Sequence, residues 1–388
     1  MQQRPGFGAD CRTTRGTSVN DQHPAVPRAS DTSDLTLDLV TRVGRIITPE
    51  EIKRTGETIA MMQDPQGWIP WAVGYHLDAW NHVEAAIGLA LAGFVPEAER
   101  AYEWLAASQR DDGSWATKYY RGEVSDPMTD ANQTAYVAVG VLHHFLHTDD
   151  RGFLESMWPV VQDAINCVWQ MQRSGGEIAW GRDPDGTLKD KGLVTGNASV
   201  FQSLRCGVAI AEALGLERPE WELAAGHLAW AIRNRPHAFL DKSRWSMDWY
   251  YPVLTGVLRG APAVQRIDAG WDTFVIDGLG CKCVSDHPWI TAAETCELIM
   301  SLDAIGQTDK ALELFENIQF LRDEEGAYFE GVVVPEWVHW PGRQPAWTGA
   351  AVILAADVLA HESLTSGLFR GEGLPGLESV DFEPDDQR

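Results

Sequence analysis

Two kinds of apolar pattern alternate along the chain. In PEAERAYEWLAASQ, Ala101, Trp104, Leu105 and Ser108 fall on one stripe with charges opposite. That spacing marks an amphipathic helix with one wet face. In WNHVEAAIGLALAG every position after Glu84 is apolar or small, which marks a helix buried on all sides. The wet pattern recurs near 48–63, 97–110, 153–172, 221–235, 260–271 and 308–322. The dry pattern recurs near 79–93, 131–147, 198–214, 248–259, 288–305 and 345–361. The period-two alternation of strands is weak throughout. The chain therefore reads as six helical pairs, each with one wet and one dry member.

Six such hairpins have a natural solution: dry helices as an inner ring, wet helices as an outer one. This is an all-α fold, an (α/α)6 toroid of six helical hairpins, and being closed it leaves no end repeat to cap. The rival is an open superhelix of the tetratricopeptide kind, with fixed repeat lengths and short turns. Here the outer-to-inner connections are irregular, at about 12 to 26 residues, and long loops inside a compact domain are usually functional. In a toroid they gather at one end, around the mouth of a central cavity. The toroid is placed at 34–365. Residues 1–33 are polar and rich in Gly, Pro and Ser and are expected to be disordered, and 366–388 to form an acidic, flexible tail.

The wet-to-dry connections share a motif. QDPQGW starts at Gln63, QRDDGSW at Gln109, QMQRSGGEIAW at Gln170 and QFLRDEEGAYFEG at Gln319. Each runs Gln, polar turn, Gly, aromatic. The amide can bond orphan groups at a helix end, the Gly supplies a positive-φ turn, and the aromatic packs between helices. Trp68, Trp115 and Trp180 are thereby expected to staple repeat to repeat, with Tyr328 and Phe329 taking that place in the last connection. These stretches resemble the QW repeats of squalene–hopene cyclases and of protein prenyltransferase β subunits. The resemblance spans roughly 48–361 and implies the toroid and an isoprenoid substrate. It breaks at the chemistry. Where class II terpene cyclases carry their acidic motif, the second dry helix opens with DANQTA: Asp130 and the Thr-Ala match, but the proton-donating Asp is Asn132 and the next is Gln133. The zinc-holding Asp, Cys and His of the prenyltransferases have no equivalent either. GCKCVSDHPW sets Cys281 and Cys283 one residue apart, too close for joint tetrahedral ligation. Neither a metal nor another cofactor is expected.

A net charge of −25 repels nucleic acid and anionic lipid. Six cysteines in 388 residues make no disulfide scaffold, which favours a reducing cytoplasm. No basic segment leads an apolar run at the N-terminus, and no apolar run reaches membrane-spanning length. The expected partner is a small molecule, isoprenoid or sugar.

Polar residues and Trp concentrate where the dry helices begin. Candidate catalytic groups are Asp130, Asp248, Glu294, Glu84 and His287. Candidate substrate contacts are Asp78, His82, Asn132, Gln133, Asn197, Gln202, Trp289, Trp340 and Trp347. Asp78 and Asp130 also sit where N-caps sit; Glu84 and Glu294 lie inside apolar helices, where capping does not explain them. The last connection, with Glu325, Glu330, Glu336, Trp337, His339 and Trp340, is long enough to cover a cavity. Two chemistries suit such a wall. Aromatic rings with an acid stabilise carbocations, the expected reading being acid–base work on an isoprenoid. Stacked Trp with paired carboxylates, such as Glu84 with Glu294, suits a glycoside hydrolase or sugar epimerase. A toroid that binds a small molecule without chemistry is a third reading.

Overall fold

The computed structural model describes residues 29–376. A leading helix α1 (Ala29–Ile46) is followed by alternating outer and inner helices. These are α2 (Pro49–Ala60) with α3 (Ala79–Leu91), and α4 (Val95–Ser108) with the broken helix α5 (Ala131–Ala135) and α6 (Val137–Thr148). Then come α7 (Arg151–Trp169) with α8 (Val194–Ala213), and α9 (Pro219–Asn234) with α10 (Ser246–Leu254). The last are α11 (Gly260–Phe274) with α12 (Ala292–Asp303), and α13 (Thr308–Asn317) with α14 (Ala346–Ala360). Inner helices touch in the order α3, α6, α8, α10, α12, α14, and α14 packs back on α3. The ring is closed, as the six-pair pattern requires. Burial follows that pattern: nearly all of α14 is buried, whereas α13 buries only Ala311, Leu312, Leu314 and Phe315.

The connecting motif is the device that joins the repeats. Gln63 donates its side-chain amide to the Gly67 and Glu97 carbonyls, Gln109 to those of Gly113 and Val160, and Gln172 to those of Gly176 and Ala224, all at 2.8–3.0 Å. One bond closes the local turn and the other reaches the next outer helix. The three glycines have φ of +99°, +83° and +91°, and each lies flush on that next helix, at Arg100, Asp163 and His227 respectively. The last repeat closes the ring in the same way. Gly326 lies on α2 at Arg54, and the Thr55 hydroxyl donates to the Gly326 carbonyl at 2.8 Å.

The side chain that fills the joint is always two residues after the glycine: Ile69, Trp115, Ile178 and Tyr328, each almost fully buried. This corrects the expected staples. Trp115 is one, its indole N–H donating to the Leu105 carbonyl at 3.1 Å. Trp68 and Trp180 are out of register and only partly buried, and the third motif starts at Gln172 rather than Gln170.

Several local expectations change. The long connections carry short antiparallel strands, at 118–120 with 123–126, 129–130 with 181–182, 275–276 with 280–281, and 289–291 with 331–333 and 338–339. The fifth inner helix therefore starts at Ala292, after a strand, and the last connection is pinned into a small sheet. Of the segment expected to be disordered, 1–28 lies outside the described residues, while 29–33 begins α1. Leu39, Val43 and Ile47, at helical spacing along α1 and just past its end, join the core. Of the expected flexible tail, 377–388 lies outside the described residues. Residues 365–370 form a 3-10 turn with Leu368 and Phe369 buried, and Arg370 pairs with buried Asp303 at 2.8 Å. Among the described residues no helix is long and apolar enough to cross a membrane.

Candidate active site

Asp78 and Asp130 cap the first and second inner helices. Asp78 accepts the Asn81 backbone N–H at 3.0 Å and its side-chain amide at 2.6 Å, and Asp130 accepts the Gln133 N–H at 3.1 Å. Two short pairings hold them at the rim. Leu77 and Tyr119 exchange backbone bonds at 2.8 Å, and the strand at 129–130 pairs with 181–182. Burial pushes both carboxyls up, Asp130 to about 6 with the Asp78 charge adding to it. The Asp78 carboxylate also lies 3.7 Å from His76, whose charge offsets part of its rise.

A second carboxylate group belongs to the fifth inner helix, which lies across the ring from the second. Glu294 sits in the first turn of α12, where burial and its carboxylate together push the Cys283 thiol up. Its neighbour is Glu330, pushed up to about 7 by burial and by Glu294, and held down in part by Arg343. The Ala292 N–H donates to the Glu330 carbonyl at 3.0 Å, so the last connection delivers Glu330 to the start of α12.

Deeper in the ring lies a layer of tyrosines and glutamates. The Tyr136 hydroxyl donates to Glu84, and those of Tyr250 and Tyr251 donate to the two oxygens of Glu297, the latter at 2.7 Å. Burial raises Glu84 to about 7 and Glu297 to about 8. Glu84 is thus a satisfied floor residue rather than a rim acid. Its raised value makes a testable sign. The folded chain keeps the Glu84 proton between the ordinary carboxyl value of 4.5 and about 7, where the unfolded chain has lost it. That contribution to stability is complete below the lower value and is lost as pH rises through the upper one. Glu84→Gln keeps a carbonyl for Tyr136 and removes the titration. Its thermal midpoint should therefore fall less than that of the wild type between about pH 5 and about pH 8; equal slopes would refute the assignment.

Aromatic rings line the first inner helix and its neighbours. Trp80 stacks on Tyr136 at 5.1 Å and meets Trp347 edge-on at 5.5 Å. Buried polar atoms around the mouth lack protein partners: the indole nitrogens of Trp80 and Trp347, Asn132 Oδ1, Gln133 Oε1 and Glu330 Oε2. Unpaired buried groups call for a ligand or water. Donors and acceptors beside aromatic faces suit a hydroxylated ring compound, whose faces are apolar and whose edges are polar. Asn132, Gln133 and Trp347 stand in the first turns of their inner helices. Among the described residues no three His, Cys, Asp or Glu side chains come together to hold a metal ion.

Other candidates lie elsewhere. His82 Nδ1 accepts the Ile69 N–H at 3.1 Å and Nε2 donates to the Ala101 carbonyl at 2.9 Å. The buried ring is a neutral strut, its pKa lowered to about 4, and it points at α4 rather than the cavity. Asn197 makes two bonds to the Ile178 backbone at 2.8 and 2.9 Å and secures the third connection. Asp248 accepts the Thr195 hydroxyl at 2.8 Å and lines a peripheral cleft with Arg233, Lys242 and Arg266 between outer helices. His287 is exposed on a turn. Trp289 donates its indole N–H to the Trp340 carbonyl at 3.0 Å, and Trp340 is exposed on the outer rim. Gln202 is buried about two turns into α8. Unforeseen were Glu297, Trp80, Tyr136, Tyr250 and Tyr251. Glu297 lies one helical turn beyond Glu294, a spacing that places both on one face.

No protein-family model matches the chain. Over 343 residues it is 50% identical to the MMP endo-(1,4)-3-O-methyl-alpha-D-mannosidase of Mycolicibacterium hassiacum, covering 88% of this chain and 95% of that protein. An uncharacterized glycosyl hydrolase of Methanocaldococcus jannaschii is 29% identical over 124 residues, 30% of this chain and 20% of that protein. Among solved structures, a glycosidase variant in complex with glucose superposes with a TM-score of 0.65 at 15% identity, over 82% of this chain and 97% of that one. A D-mannose isomerase gives 0.59 at 11% identity, over 85% and 98%. At these identities the structural likeness speaks for the fold alone. The mannosidase relative overturns the resemblance to prenyltransferases and squalene–hopene cyclases, and with it the isoprenoid substrate. The Gln–Gly–aromatic repeat is a rule of ring packing that different chemistries share. The chain is an enzyme, and its chemistry is that of the carbohydrate-active alternative.

Proposed function

Because the chain belongs to the family of the MMP endo-(1,4)-3-O-methyl-alpha-D-mannosidase of Mycolicibacterium hassiacum, we propose that it hydrolyses α-(1,4) bonds within chains of 3-O-methylated mannose. The identity of 50% over nearly the whole of both chains carries this reading, and the chemistry of the mouth supports it. A methyl ether removes a donor and adds apolar surface, which suits a wall of indole and phenol rings. Hydrolysis of a glycoside needs one carboxylic acid to protonate the leaving oxygen and one carboxylate on the other side of the sugar. Asp78 and Asp130, both held toward the protonated form by burial, supply the acid. Glu294 on the facing side supplies the carboxylate, with Glu330 beside it. Asn132, Gln133, Trp80 and Trp347 hold the sugar rings.

Incubation with 3-O-methylated α-(1,4)-mannooligosaccharides should release shorter internal fragments. The unmethylated oligomers should be cut at least about tenfold more slowly, since losing one apolar contact in a pocket costs about 1–3 kcal/mol. Release of single units from one end only, or no cleavage of the methylated series, would overturn the proposal.

A further inference from the structure

A cleft of about 370 Å³ opens beside the mouth, between the first connection and the hairpin at 118–126. That volume lies in the range of small-molecule sites, roughly 300–1,000 Å³. Its lining is largely apolar: Met61, Val73, Tyr75 and Tyr120 are exposed beside half-buried Trp68, with Arg121 at the lip. Met61 is 77% and Val73 73% exposed, and such side chains clustered in one concavity mark a binding surface rather than scattered surface residues.

The cleft is built, not merely left open. Tyr120 and Glu123 flank a two-residue turn in which Arg121 and Gly122 both have positive φ, at +53° and +80°. This is the tight hairpin turn whose twist matches its strands. For Arg121 that backbone carries strain, which collects at functional sites. Gly122 lets the turn lie against the Trp68 indole, and the Arg121 guanidinium sits over the Tyr120 ring at 5.5 Å. The walls run directly into the active site. Tyr120 follows the Tyr119–Leu77 pairing, and Leu77 precedes Asp78. On the other wall the Tyr75 ring lies 4.1 Å from the Arg343 guanidinium, whose charge in turn lowers the Glu330 carboxyl.

We infer that this cleft is a distal sugar subsite, which holds a 3-O-methylated mannose unit of the same chain whose scissile bond lies among Asp78, Asp130 and Glu294. The methyl ether packs on Met61, Val73 and Trp68, the ring stacks on Tyr120, and Arg121 donates to hydroxyls. An enzyme that cuts inside a chain needs contacts of this kind beyond the reacting sugar. The inference rests on the hydrolase reading for its ligand but stands on separate residues.

The test is binding and turnover of a long and a short 3-O-methylated α-(1,4)-mannooligosaccharide. Tyr120→Ala and Val73→Asp should each raise KM for the long oligomer about tenfold relative to the short one, the loss of one well-packed contact. Calorimetric Kd values are measured in the Glu294→Gln background, with and without Tyr120→Ala. The long oligomer should bind about tenfold more weakly in the double variant. If the wild type cuts nothing but that binding loss appears, the subsite stands and the hydrolase reading falls. Equal Kd in the two proteins, no binding of the long oligomer, or a loss of the same size for long and short oligomers overturns the subsite.

Discussion

Glu294→Gln is expected to lower kcat on methylated mannooligosaccharides by roughly 10²–10⁴-fold, the usual worth of a positioned acid or base, with a far smaller change in KM. The reasoning is local. The substitution keeps the size while removing the charge, so the proposed sugar contacts of Trp80, Trp347, Asn132 and Gln133 should persist. A loss confined to kcat is the mark of an interaction made in the transition state. Asp78→Asn should cost about as much. It removes one member of the buried acid pair and lowers the proton affinity of the other, since the Asp78 charge is part of what raises Asp130. The alkaline limb of the rate profile should then move to lower pH in Asp78→Asn. Glu294→Gln retaining more than about a tenth of wild-type kcat would remove Glu294 from the reaction, because even the weakest acid–base contribution exceeds that.

The position of these acids at the helix starts was legible in the sequence, though Asp78 was read there as a substrate contact, and the reason shows what a single chain can and cannot disclose. Depth along a helix follows from counting residues: Asp78 and Asp130 precede dry helices, so they sit at the mouth. Azimuth does not follow, because each residue turns about 100° around the helix. His82 and Asn197 lie as near the mouth in sequence as Asn81 and Glu84 do. Yet they face α4 and the third connection, where they satisfy backbone groups. Asp248 faces the gap between outer helices for the same reason. Glu297 hid in the opposite way, as a carboxylate in the second turn of an apolar helix whose tyrosine partners come from another hairpin. The six-pair ring was legible because burial acts on whole helices. The reaction was not, because the repeated motif answers to packing and leaves the mouth free to vary.

The motif yields the second large effect. Gly113→Ala should destabilise the chain by about 2–5 kcal/mol, whereas Gly186→Ala should cost about 1–2 kcal/mol, the ordinary penalty of left-handed backbone for an L-residue. The two glycines have nearly the same φ, +83° and +89°. They differ in what a Cβ meets. At Gly186 there is open space; at Gly113 it falls on the Asp163 carbonyl of α7. That carbonyl belongs to a helix that also receives the Gln109 amide, at Val160, so it has no freedom to retreat. Overpacking of this kind adds roughly 1–3 kcal/mol. Denaturant midpoints of the two variants separate the terms: the shared part is the turn, and the difference is the contact between the second repeat and the third. Equal losses would mean that the glycine serves only its own turn. A larger loss at Gly113 means that the repeats are spaced by backbone touching backbone, with Gln109 and Trp115 locking the spacing on either side. The distance between inner helices, and so the breadth of the mouth that holds the sugar, is then set by a residue with no side chain.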